Sequence, residues 1–282
     1  MRHGFVAPFV TEREFVELAR VAEAAGWDAI FTWESVYRHD AWATLGAAAV
    51  ATSAIRLGTL ITPVSRYRPW DLAARVGTVD RLSQGRVVLG AGLGAPNGNW
   101  TAFEADDGRR LRRERTDEVL AIYAGLMSGQ PYTYHGTHFS CTPVREIDPL
   151  PPYTRPHPPV WVVGALVPQR RRQPSLARAA RWEGVFPAVA AGQGGQSGLT
   201  VETLGQLVDV LRGLRRDLGL PWEGYQVCVE GDSYGGFGQV HGPVEPWESA
   251  GGTWWIESWW DLPDSPAGVE TLTRRVERGP NR

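Results

Sequence analysis

A carboxylate, Glu34, closes the run "DAIFTWE", and a histidine, His39, follows a few residues on. Glycines 90, 92 and 94 alternate through "VVLGAGLG", while two further carboxylates, Glu230 and Glu257, lie in "YQVCVEG" and "TWWIESWW". A positioned carboxylate and a histidine are the groups that general acid and base chemistry uses. Glycines at a strand end let a flat ring system approach the backbone. Carboxylates among tryptophans could instead bracket a sugar, as in a glycoside hydrolase. Other chemistries drop out at once. The sequence contains no lysine, so all 29 of its Lys and Arg residues are arginine, which removes Schiff-base and lysine-nucleophile mechanisms. No His, Cys and Asp cluster has metal-ligand spacing, and no G-x-S-x-G elbow or paired Cys and His suggests acyl transfer.

The elements that position these residues follow a repeating theme. Phe5 to Pro8 reads as a strand, and Thr11 with Glu14 forms an S/T-x-x-E capping box opening a helix that buries Phe15, Leu18, Ala19, Ala22 and Ala25. Strands are then expected at 28–33, 55–62, "GRVVLGAG", 160–165, "EGVFPA", "YQVCVEG" and "TWWIESWW", with helices between them. The third of these helices begins at Pro69 and carries Leu72, Val76, Val79 and Leu82; the fourth spans 111–126 and the fifth 174–182. Eight strands alternating with helices about every 30 residues mark βαβ units closing into a (β/α)8 TIM barrel, an α/β fold read here as one domain over residues 1–282. Residues 128–159 break the rhythm as an inserted hairpin around His135 and Gly136, and 188–198 form a glycine-rich loop expected to serve as a lid. Little room remains for a regular seventh helix.

Barrel geometry sorts the stretch "VDRLSQGRVVLGAGLG" into two ends. Strand N-termini form the stability face and strand C-termini the active face. Asp80, Ser83 and Arg86 are therefore expected to tie the third helix to the fourth strand, while Gly90, Gly92 and Gly94 lie at the site. Glu34 also ends a strand on the active face; in the alternative it caps the next helix. Arg170, Arg171 and Arg172 stand before a helix, suited either to an acidic cofactor tail or to solvent. Trp254, Trp255, Trp259 and Trp260 alternate across the last strand, so at most one or two line a pocket.

Together with "RLGTLITPVSRYRPWDLA", "ELARVAEAAGWDAIFTWE", "PPVWVVGA" and "LARAARWEGVFP", that stretch resembles the luciferase-like monooxygenase superfamily, over essentially the whole chain. The resemblance implies a barrel that binds FMN or the deazaflavin coenzyme at its top. It places the ring against Thr59, Leu60, Gly92 and Gly94, with a non-prolyl cis peptide expected at Thr59–Leu60. It places the cofactor phosphate near Val163, Gly164, Ala165 and Pro187, where Ala165 stands in for a usual glycine. Glu34 matches an acidic family position as the candidate catalytic residue; Ser35 replaces the histidine usually beside it, and His39 is the alternative supplier of that group.

Composition narrows the partners. Acidic and basic residues nearly balance, with formal net charge −2, which is no footprint for nucleic acid. No apolar run is long enough to span a bilayer. Two cysteines, Cys141 and Cys228, and an N-terminus without a signal-like apolar core fit a reducing cytoplasm. The expected protein is thus an oxidoreductase or monooxygenase acting on a small-molecule substrate, with FMN or deazaflavin and no metal. A homodimer stays open, and the alternatives are a glycoside hydrolase or a non-catalytic flavin-binding protein.

Overall fold

The computed structural model describes residues 1–94, 100–143, 150–190, 196–238 and 242–281. In chain order the elements are β1 (Arg2–Val6), α1 (Glu12–Ala24), β2 (Ala29–Thr32), α2 (Ala41–Ala51), β3 (Arg56–Thr59), β4 (Thr62–Pro63), α3 (Pro69–Ser83), β5 (Val87–Gly92), α4 (Gly108–Met127), β6 (Tyr134–His135) and β7 (Ser140–Cys141). They continue as β8 (Val160–Leu166), α5 (Pro174–Ala179), β9 (Gly184–Ala190), β10 (Gln196–Ser197), α6 (Val201–Asp217), β11 (Gln226–Gly231), α7 (Glu245–Ser249), β12 (Trp254–Ser258) and α8 (Pro266–Glu277). The strands β1, β2, β3, β5, β8, β9, β11 and β12 alternate with eight helices, and the fold is a (β/α)8 barrel. Two compact sets of residues make it up, 1–31 with 159–282, and 32–158.

In the first set, parallel pairing runs β8, β9, β11, β12, β1, β2. Alternation along each strand separates two faces. One carries Trp161, Phe31, Phe186 and Trp254, whose rings meet at centroid distances of 5.2 to 6.2 Å. The other packs helices: Trp255 lies 6.1 Å from Trp247 of α7, and Phe5 meets Trp27 just after α1 at 5.1 Å. The capping box of α1 forms as its sequence predicts, with Glu14 N–H donating to Thr11 Oγ1 and Thr11 N–H to Glu14 Oε2. The seventh helix is a five-residue stub.

In the second set, β3 and β4 both pair parallel with β5, and α2, α3 and α4 pack in sequence. The single strand expected over 55–62 is broken: β3 stops at Thr59, and the non-prolyl cis peptide lies at Leu60–Ile61, one residue beyond the expected bond. Leu82, expected on the apolar face of α3, is 45% exposed, whereas Leu72, Val76 and Val79 are buried. Within 128–159, β6 and β7 form an antiparallel hairpin, with Tyr134 opposite Cys141 and His135 opposite Ser140. It is pinned by Glu118 of α4, whose carboxylate accepts from the backbone N–H of Thr137, His138 and Phe139.

The expected link between α3 and β5 forms in part, with Arg86 N–H donating to Ser83 Oγ and Arg86 Nε to the Ser83 carbonyl, while Asp80 is engaged elsewhere. The Arg86 side chain donates five hydrogen bonds, to the carbonyls of Ala49, Thr52, Ile55 and Ser83 and to the Thr52 hydroxyl. It therefore closes the C-terminal end of α2, where helix carbonyls lack intrahelical partners. The Asp80 carboxylate accepts from the N–H and hydroxyl of Thr154. Strand β9 runs on to Ala190, beyond the expected loop start at 188, and residues 191–195 of the expected lid lie outside the described residues, as do Ala95, Pro96 and Asn97 after the glycine string.

Candidate functional site

Strand β2 ends at Thr32, and the chain turns so that Glu34 meets Tyr67, which lies between the 3-10 turn Val64–Arg66 and α3. The Tyr67 hydroxyl donates to Glu34 Oε1 at 2.5 Å. The other carboxylate oxygen, Oε2, is buried and without a hydrogen-bond partner among the described residues. Burial raises the Glu34 pKa above the ordinary glutamate value; the Tyr67 hydrogen bond and then the nearby Thr62 hydroxyl oppose that shift, Asp40 adds to it, and Arg66 lowers it. Burial and the adjacent carboxylate push the Tyr67 phenol far upward.

Glu34 does not cap α2. That task falls to Asp40, which accepts from the N–H of Trp42 and Ala43 and also pairs with Arg75 of α3 at 2.9 Å. His39 Nε2 lies 3.0 Å from the Thr32 hydroxyl. Glu34, Ser35, His39, Asp40, Tyr67 and Arg75 line an open cleft of about 320 Å³. Glu34 and His39 thus line one cleft, and burial raises the pKa of the Glu34 carboxyl.

Strands β4 and β5 end side by side. Thr62 stands opposite Ala91 and Pro63 opposite Gly92. Thr59 is fully buried, donates to the Gly90 carbonyl at 3.1 Å and accepts from the Thr62 hydroxyl at 3.0 Å, so its side chain locks β3 to β5. Leu60 is buried. Gly94 has φ +76°, and a side chain there would press on Pro63. Glycine 92, Gly94, Thr59 and Leu60 therefore gather around one pair of strand ends.

The four residues expected at a phosphate lie in the first set, and they divide. Val163 and Ala165 share the strand face of Trp161. Gly164 points the opposite way, where a Cβ would come within 2.7 Å of Val185 Cγ2 and 3.0 Å of Leu176 Cδ2. Glycine at 164 is thus demanded by packing against β9 and α5. Pro187 stands opposite Gly164 in the parallel pairing. The Ala165 N–H donates to Ser175 Oγ at 3.1 Å. Arg170, Arg171 and Arg172 are exposed.

The three carboxylates that could bracket a sugar are unlike one another. Glu257 is 1% exposed and accepts from Ser233 N–H and Oγ and from Trp255 Nε1. Those partners make it a structural tie on the helix-facing side of β12. Glu230 shares its strand face with Cys228, opposite Trp254 and Ile256, so it looks toward the aromatic interior. Its Oε2 accepts from Trp260 Nε1 at 3.3 Å, and burial raises its pKa. Of the four tryptophans, Trp254 packs the interior, Trp255 faces α7, Trp259 bonds Asp232 and Trp260 meets Glu230. Among the described residues, no group of three or more His, Cys, Asp or Glu could hold a metal ion, and no helix is long and apolar enough to cross a membrane.

The sequence pattern of the luciferase-like monooxygenase family matches residues 3–173. The chain belongs to that family. An F420-dependent glucose-6-phosphate dehydrogenase of Beutenbergia cavernae is 34% identical to this luciferase-like chain over 138 residues, 45% of this chain and 41% of that protein. The chain spans about half the length of the curated relatives it matches. Among solved structures, the monooxygenase RslO1 of Streptomyces bottropensis superposes with TM-score 0.72 at 20% identity, covering 99% of this chain and 98% of that one. An F420-dependent secondary alcohol dehydrogenase in complex with an F420-acetone adduct superposes with TM-score 0.71 at 17% identity, covering 98% and 99%. These likenesses carry the fold over nearly the whole chain.

Two residues of the luciferase-like site escaped sequence reasoning. Tyr67 lies inside "RYRPW" with no periodic signal, and only folding brings it to Glu34. Asp40 did carry a signal, an aspartate directly before an apolar helix, which is an N-cap pattern.

Proposed function

We propose that the chain is an oxidoreductase that moves a hydride between a reduced flavin-type coenzyme and a small organic substrate, with Glu34 as the proton donor. The observation that carries this reading is the buried Oε2 of Glu34, without a hydrogen-bond partner among the described residues, on a carboxyl whose pKa burial raises. A carboxyl with a raised pKa and one oxygen outside the Tyr67 hydrogen bond is equipped to protonate a substrate oxygen or nitrogen.

A flat tricyclic ring fits the residues present. Gly92 and Gly94 offer backbone without side chains, and Thr62 links that strand end to Glu34 through its place opposite Ala91. Leu60, Gly92 and Gly94 would carry the ring, and the backbone around Val163, Gly164, Ala165 and Pro187 the phosphate. When bound, the coenzyme supplies the hydride or, as reduced FMN, activates oxygen. The chain's own part is to hold the ring and to give a proton from Glu34.

The deazaflavin coenzyme is the reading favoured by the relatives, since the Beutenbergia cavernae protein is named for dependence on F420. FMN presents the same ring and ribityl phosphate. The reading includes a cytoplasmic setting, the one in which both cysteines stay free thiols, as they are here.

Titrating the apoprotein with FMN and with deazaflavin, followed by fluorescence, tests the cofactor. Screening the reduced complex against ketones, imines and enones tests the chemistry. Binding of neither coenzyme overturns the reading; binding without any turnover favours a non-catalytic carrier.

A further inference from the structure

We propose that Tyr67 is a positioning residue that confines the proton of Glu34 to Oε2 and so fixes the edge of the carboxyl from which it is given. The inference rests on the reading of Glu34 as the proton donor. Its basis is the asymmetry of the two oxygens. Oε1 lies 2.5 Å from the Tyr67 hydroxyl, whereas Oε2 is buried with no hydrogen-bond partner. Among the described residues the Tyr67 hydroxyl has no second acceptor, so it donates to Oε1 in either charge state of Glu34. A proton placed on Oε1 would leave the tyrosine hydrogen unmatched in a buried setting, a costly arrangement. The acid proton is therefore held on Oε2.

The reaction step balances simply. The Oε2–H bond breaks, the proton passes to the substrate atom that gains negative charge, and the electron pair stays on Glu34 as a carboxylate. Tyr67, still protonated, then stabilises that carboxylate through Oε1. Solvent in the cleft restores the proton. The remaining charged and titratable groups around the pair act from three elements. Asp40, at the start of α2, raises the proton affinity of Glu34; Arg66, in the 3-10 turn, lowers it; and Arg75 of α3 pairs with Asp40. Tyr37, Arg38 and His39, from the turn between β2 and α2, line the same cleft, and His39 Nε2 meets the Thr32 hydroxyl.

The test uses the whole chain without coenzyme. The infrared carbonyl band of protonated Glu34, assigned by its loss in Glu34→Gln, is titrated in the native protein and in Tyr67→Phe. Losing one hydrogen bond to a charged group should move its midpoint up by about one to two pH units. In the coenzyme-loaded enzyme the alkaline fall of kcat should move up with it and kcat should drop, while coenzyme affinity stays unchanged. An unmoved infrared midpoint in a Tyr67→Phe protein of unchanged melting temperature overturns the proposal. If that variant does not fold, the 13C resonance of the Tyr67 ring carbon bearing the hydroxyl replaces it. That resonance should titrate with Glu34 in the native protein and stay flat in Glu34→Gln; a flat native signal overturns the proposal. Absence of turnover with every substrate defeats the functional reading and leaves the infrared result standing.

Discussion

Asp80 holds Thr154 through two hydrogen bonds of 2.8 Å, the Thr154 N–H to one carboxylate oxygen and its hydroxyl to the other, across 74 residues of chain. Asp80 is fully buried at the end of α3, so the segment that follows the inserted hairpin is tied to the helix by a charge-assisted pair. Asp80→Ala leaves both Thr154 donors unmatched. A loss of about 2 to 3 kcal/mol in urea unfolding is expected, with faster hydrogen exchange at the Thr154 amide. Asp80→Asn keeps acceptor capacity and should lose less.

Arg86 acts on the other end of the same region. Its side chain satisfies carbonyls at the end of α2 and at the entrance to β3. Arg86→Ala should lower stability by about 3 kcal/mol while coenzyme affinity, measured on the folded fraction, stays the same. Arg86→Lys should recover little, because an ammonium cannot fork to carbonyls on both sides.

Glu34→Gln keeps the shape of the side chain and removes its proton. Turnover should fall by about 10² to 10⁴-fold with coenzyme affinity nearly unchanged. The pH dependence has a definite sign. The raised pKa keeps the native acid protonated above the ordinary glutamate range, so activity should be full at low pH and decline as pH rises through that value. The Gln variant should show no such limb. Equal rates for both proteins across the pH range would make His39 the next candidate.

Glu230 gives a stability prediction. Its folded pKa is raised by burial, and the Trp260 indole opposes that shift. Glu230 therefore favours the fold fully below its unfolded pKa, and the contribution is lost as pH rises through the folded value. Glu230→Gln should raise the melting temperature at neutral pH and change it little at acid pH. A lower melting temperature at neutral pH would mean that the ionised form is the one the interior holds.

Local pattern was enough to identify the barrel. Alternating runs such as "VWVVGA" and "YQVCVEG", a capping box at Thr11, and Pro69 opening a helix are one-dimensional signals, because strand and helix periods are written in neighbouring residues. The same logic put Glu34 and the glycines of β5 at strand ends on the active face. What the sequence could not carry is which distant groups meet. Arg86 and Asp80 are neighbours in sequence, yet one closes α2 and the other holds Thr154, since buried donors and acceptors pair by position in space. Gly164 reads in the sequence as part of a phosphate cradle; only the structure shows that a side chain there would crowd Val185 and Leu176. Tyr67 carries no periodic or capping signal; its contact with Glu34 exists because the turn before α3 returns the chain to the end of β2. Short-range propensity decided the elements, and burial in three dimensions decided which carboxyls hold a proton more tightly.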